Sequence, residues 1–172
     1  MRVFLCITFF LLVIIPALAQ RIDSENSILI FKVKKLGKNV EGSFSGMKGE
    51  VYINENDLSS SQVHASLDPS TVNTGNERRN EHLRSSDFFD VEAFPEIHFV
   101  SNEIQQSKDE LLLIGVLTMH GVSKEVTIPA VFADNGVKGN LVVDRFDYRV
   151  GEDIGTTLVG SEVEIFFECV WK

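Results

Sequence analysis

Apolar side chains recur at every second position in short runs along most of the chain, and the runs are separated by Gly, Asn, Asp and Ser. Leu29, Phe31 and Val33 share one parity, and Val40, Gly42 and Phe44 repeat it after Gly37-Lys38-Asn39. Val51 with Ile53, Val63-Ala65-Leu67, Ile97-Phe99-Ser101, Val126 with Ile128, and Val137-Gly139-Leu141-Val143 follow in alternation. Val163, Ile165, Phe167, Cys169 and Trp171 close the series, while charged residues such as Lys32, Glu125, Lys138, Glu164 and Glu168 take intervening positions. A period of two with one wet face is the mark of antiparallel strands, so the pattern predicts an all-β domain. A closed barrel of about eight strands is preferred to a sandwich, because closure removes exposed edges and leaves an interior that is either filled or holds one small ligand.

Two segments depart from that rhythm. Residues 111–117 are apolar at both parities apart from Gly115, which predicts a strand covered on both faces. Residues 76–85 predict one short helix, with Arg78, Arg79, Glu81 and Arg84 on its surface and Leu83 turned inward. This helix is expected to lie over the outside of the doubly apolar strand, with a homodimer contact as the other cover. Gly42, Ala65, Gly115 and Gly139 fall on inward parities, where they either withdraw volume to leave a cavity or mark bends that curve the sheet.

At the start of the chain, Arg2 precedes an apolar stretch over 3–15, then Pro16 and Ala17-Leu18-Ala19. This is the pattern of a secretory signal peptide, residues 1–19, and predicts an exported product, periplasmic or secreted, whose domain spans 20–172. As a helix the apolar stretch rises only about 20 Å, short of a bilayer core of about 30 Å, so it is not read as membrane-spanning. Cys6 would leave with the leader, and Cys169 alone cannot form an internal disulfide.

Composition narrows the function classes. With 44% hydrophobic residues in 172, disorder and coiled coil are excluded. A net charge of −9 argues against a grip on nucleic acid or on anionic membrane surfaces. Thirteen Phe against one Trp and two Tyr favour apolar contacts over polar catalysis. His64, His82, His98 and His120 form no i, i+2 or i, i+4 pair, so no metal site is assigned. Asp87 and Asp90 are an acid–base pair only by proximity in sequence, and Ser59-Ser60-Ser61 lacks the glycines of a nucleophile elbow. No catalytic residue and no cofactor is assigned.

Five ordered motifs then carry a resemblance over nearly all of 20–172: KNVEGSFSGMKGEVYI (38–53), STVNTGNERRNEHLRS (70–85), HLRSSDFFDVEAFPEIHF (82–99), GVLTMHGVSKEVTIP (115–129) and VVDRFDYRVG (142–151). The chain resembles the exported YceI-like proteins, a polyisoprenoid-binding, lipid-binding family. The resemblance implies an antiparallel lipocalin-like β-barrel with a short helix packed on it, enclosing an apolar channel for an isoprenoid or similar lipid, and no catalytic activity. Two polar positions differ from the family pattern: Asn26 before Ser27, where His is common, and Asn80 after Arg79, where Asp is common.

The expected channel wall is Phe31, Phe44, Phe99, Leu113, Leu117 and Phe167. Phe88, Phe89, Phe94 and Phe146 are expected at the mouth, with Arg79, His82 and Arg84 placed to meet an anionic or hydroxylated head group. The expected function is that of an exported carrier binding a long apolar lipid non-covalently for storage or transfer. A solidly packed structural or protein-interaction module, and a hydrolase acting on lipid or glycan, are the alternatives.

Overall fold

In the computed structural model, which describes residues 19–54 and 56–172, the alternating runs pair as antiparallel strands. The expected leader falls, except for Ala19, outside the described residues. The strands are β1 (Gln20–Arg21), β2 (Ile28–Lys35), β3 (Lys38–Phe44), β4 (Lys48–Tyr52), β5 (Gln62–Leu67), β6 (Ile97–Ser107), β7 (Glu110–Met119), β8 (Val122–Ala133), β9 (Gly136–Asp144) and β10 (Val159–Val170), with one helix, α1 (Glu77–Arg84). They form a single ten-stranded sheet in the order β1-β4-β5-β6-β7-β8-β9-β10-β2-β3.

The sheet curls into a lipocalin-like half-barrel whose two end strands, β1 and β3, do not pair with each other. At one end the N-terminal segment bridges the gap. Ile22 N–H donates to Gly49 O at 3.0 Å on β4, and Asp23 N–H donates to Val170 O at 2.7 Å on β10. Along β3, Ser43 and Asn73 exchange two backbone hydrogen bonds of 2.8 and 2.9 Å, so the chain leading into α1 fills the remaining opening.

Helix α1 starts where Asn76 caps it, its side chain accepting from Arg79 N–H at 3.0 Å. Glu77 in the first turn and Arg84 in the last oppose the helix dipole and pair with each other at 2.8 Å. The expected position of this helix is corrected. Leu83 packs on the inner side with the cluster of Phe31, Phe44, Leu67 and Val72 rather than over β7. The outward Leu112, Ile114 and Val116 of β7 therefore remain half-exposed.

The β2–β3 hairpin turns on two residues, Leu36 (φ 50°) and Gly37 (φ 76°). A two-residue turn that matches the twist of its strands needs positive φ at both positions, which Asn-Gly meets readily. Leucine meets it at a cost of about 1–2 kcal/mol, because its Cβ crowds the following carbonyl.

The inward glycines serve neither of the two expected purposes alone. A Cβ at Gly42 would lie 2.3 Å from Phe31 Cζ on the paired strand, and one at Gly139 would lie 2.8 Å from Phe167 Cζ. One at Gly115 would lie 2.8 Å from Phe99 Cζ, beside a bulge in β6 between Ser101 and Glu103. Gly42 makes room for the Phe31 ring, while Gly115 and Gly139 also admit a neighbouring strand's carbonyl, Val100 O and Pro129 O, at 2.2 and 2.4 Å from where a Cβ would stand. Gly42→Ala is therefore expected to push the Phe31 ring off the wall and destabilise the domain by about 1–3 kcal/mol. A fall in the urea midpoint at unchanged m-value would register this, and an unshifted midpoint would show that the ring has free space to move into.

Candidate functional site

Inward side chains of the curled sheet, together with Leu83, Phe88 and Phe89, line a partly open cavity of about 200 Å³ whose exposed wall is entirely apolar. A single water needs about 10–15 Å³ of such space and two to four polar partners, so this cavity is roomy yet unsuited to water. Phe31, Phe44, Phe99, Leu113, Leu117 and Phe167 all line it. Phe31 and Phe44 stand 5.4 Å apart between ring centroids and Phe44 and Phe89 5.6 Å, forming a continuous aromatic strip beneath α1.

Several residues expected at the mouth lie elsewhere. Phe88, 7% exposed, and Phe89 belong to the wall. Phe94 packs edge-on against His120 with centroids 4.5 Å apart, and Phe146 stacks 4.1 Å from the Arg145 guanidinium. Neither ring lines the cavity. Arg84 Nε donates to Ser70 O at 2.8 Å and its Nη2 to Val72 O at 3.4 Å, so with the Glu77 pair it ties α1 to the preceding segment. Arg79 donates from Nε and Nη2 to Thr74 Oγ1 and O, both at 2.8 Å. His82 Nε2 stands 3.0 Å from Asp87 Oδ2, with its ring edge-on to Phe88. Of the polar trio, only Arg79 and His82 share a surface groove, and Lys35, Asn76 and Arg78 complete it.

The two departures from the family pattern have structural tasks. Asn26 Nδ2 donates to Asp23 at 3.0 Å. That bond, one from Lys172 and one from Glu25 N–H hold the Asp23 carboxyl down at about 2. Buried Asn80 accepts from Thr74 N–H at 2.9 Å and Thr74 Oγ1–H at 2.7 Å, fixing the approach to α1.

Arg145 is the wall residue that the hydropathy pattern misses. It is 4% exposed, yet it lies between Asp144 and Phe146 in a segment that reads as a polar loop. Its guanidinium donates to the carbonyls of Gly160 (3.0 Å), Val150 (2.9 Å), Val159 (3.1 Å), Gly151 and Ile154. Burial lowers its pKa, against which the neighbouring Asp144 charge works. With its donors spent on backbone, Arg145 presents the cavity with carbon alone. Cys169, also in the wall, has its thiol pushed up to about 11 by burial, so it stays protonated and unreactive at neutral pH. Among the described residues no three His, Cys, Asp or Glu side chains converge as a metal site.

The model of the YceI-like domain family matches residues 20–171. The chain belongs to the YceI-like family. A UPF0312 protein of Staphylococcus aureus (strain USA300) is 38% identical over 119 residues, 69% of this chain and 66% of the relative. Protein YceI of Salmonella arizonae is 32% identical over 123 residues, 70% of this chain and 64% of the relative. The matched region thus spans just under two-thirds of these YceI-like relatives' length. Among solved structures, Burkholderia cenocepacia BcnA superposes with a TM-score of 0.81 at 26% identity, covering 87% of this chain and 98% of that one. A polyisoprenoid binding domain from Saccharophagus degradans, implicated in plant cell wall breakdown, has a TM-score of 0.69 at 16% identity, covering 90% and 98%. That second likeness to the YceI-like chain is one of fold. Among the described residues no helix is long and apolar enough to cross a membrane.

Proposed function

We propose that this YceI-like protein is an exported carrier that holds the hydrocarbon part of an isoprenoid-like lipid non-covalently, for storage or transfer through water. The observation that carries this reading is the cavity whose exposed wall is entirely apolar. Each methylene moved from water into such a space gains about 0.8 kcal/mol, so a long chain is held firmly by area alone. An oxygen-bearing ligand of the same size would lose its hydrogen bonds to water without replacement. The Saccharophagus degradans domain, described as polyisoprenoid-binding, has the same fold and lends the reading its ligand class.

No covalent step is part of the proposal, since the wall supplies neither an activated nucleophile nor a positioned base. Export rests on the leader pattern of residues 1–19. A homodimer, if formed, would use the half-exposed outer stripe of Leu112, Ile114 and Val116 beside Val100.

Protein purified from its own host, extracted with organic solvent and analysed by mass spectrometry, is expected to yield a long-chain lipid near one per molecule. Extracts empty of lipid, together with failure to take up a pyrene-labelled alkyl chain, would instead indicate a packed module.

A further inference from the structure

We infer that the rim formed by the β2–β3 hairpin, the residue preceding β10 and the outer side of α1 is a docking face for the surface of an anionic lipid bilayer. The partner follows from the carrier reading above, while the surface itself stands on separate observations. Leu36, 67% exposed, is the most exposed large apolar side chain among the described residues, and Leu158 is 52% exposed. Leu36 N–H donates to Leu158 O at 3.1 Å, which holds the two side by side.

Neither stability nor the turn calls for leucine at position 36. The residue is both solvated and left-handed, and asparagine would relieve both conditions. A strained apolar side chain held out in water is the kind of outlier from which a recognition role is inferred. Its position supports one, because the cavity wall reaches Val33 and Val159, the latter adjacent to Leu158 and paired in register with Lys35.

Cations surround the two leucines. Lys34, Lys35 and Lys38 flank the turn, and Lys35 shares its groove with Arg78, Arg79 and His82 of α1. Lys34, Lys35, Lys38 and Arg78 make no ion pair among the described residues. Of the carboxylates on these elements, Glu41 and Glu77 are paired with Lys32 and Arg84 and Asp87 stands beside His82, which leaves Lys34, Lys35, Lys38, Arg78 and Arg79 against Glu81, Glu152 and Asp153, so the rim is locally positive on a chain of net charge −9. Apolar tips ringed by free cations fit the boundary between acyl chains and anionic head groups, with the lysine stems lying along the apolar layer.

The test is co-flotation of protein purified from its own host with vesicles of phosphatidylglycerol and phosphatidylcholine, or of phosphatidylcholine alone, at low and high salt. Binding to the anionic vesicles is expected to exceed that to neutral ones at least about fivefold for each cation engaged, and to be lost in high salt. Leu36→Asn is expected to cut flotation about tenfold while raising the thermal midpoint, a pair of changes that misfolding cannot produce. Lys35→Glu with Arg78→Glu should abolish the preference for anionic vesicles. No flotation of wild type, equal flotation on both compositions, or unchanged flotation of Leu36→Asn each overturns the docking face. Lipid extraction of the same samples separates the two proposals. Flotation with neither bound lipid nor uptake of the pyrene-labelled chain sinks the carrier reading alone, and bound lipid without flotation sinks the docking face alone.

Discussion

Replacing Arg145 with methionine is expected to destabilise the domain by about 3–5 kcal/mol, a large share of the roughly 5–15 kcal/mol that holds a domain of this size together. Methionine approximates the length and greasiness of the stem, so the loss isolates the guanidinium. Five carbonyls around Arg145 would lose their donor, and those of Val150 and Gly151 accept it in buried surroundings. Exchanging a buried ion pair for apolar groups is often neutral because both charges leave together. Here only the donor leaves, and the carbonyl dipoles of the loop 150–160 still point at one another. Arg145→Lys keeps the charge but offers three donors in place of five, so a smaller loss of about 2 kcal/mol is expected. Urea unfolding of the two variants against wild type decides the matter. A methionine variant with the wild-type midpoint would show that the carbonyls find other partners and that the cage adds nothing.

Leu117→Trp is expected to lower lipid occupancy roughly fifteenfold while leaving the circular dichroism spectrum β-like. Leu117 sits opposite Phe99 in register, is 9% exposed and lines the cavity. An indole there occupies space that at least two methylenes of a ligand would fill, and displacing two methylenes into water costs about 1.6 kcal/mol. Leu112→Trp on the same strand points outward at the opposite parity and serves as the control, with occupancy unchanged. Extraction and quantitation of bound lipid per mole of protein gives the comparison. Equal occupancy in the Leu117 and wild-type proteins would place the ligand elsewhere.

Much of this site can be read from parity. Strands with one dry face place Phe31, Phe44, Phe99 and Phe167 inside as soon as the alternation is seen, and the charged surface of 76–85 around an inward Leu83 bounds the helix within a residue at each end. The misplacements arise where alternation stops. Phe88, Phe89 and Phe94 follow α1 in one irregular segment, where no period assigns a direction; two turn into the wall and the third onto His120. Apolar residues on both faces of 111–117 predict a cover over β7, but half-exposure of the outer face meets that composition without one. Arg145 gives no signal because it lies where alternation stops, beside Asp144 and Asp147, so it reads as one more charge of a surface loop. The net charge of −9 likewise hid the basic rim, since a sum over the chain carries no information about where the charges sit.

The apolar wall has a kinetic corollary for the proposed guest. With no polar anchor inside, nothing fixes a guest at one depth, and it is free to slide along the bore. Retention then depends on how many carbons must re-enter water before the chain is clear, and every additional methylene slows departure about fourfold. On the proposed carrier reading, such a protein would discriminate among guests by tail length, as a timer more than as a lock.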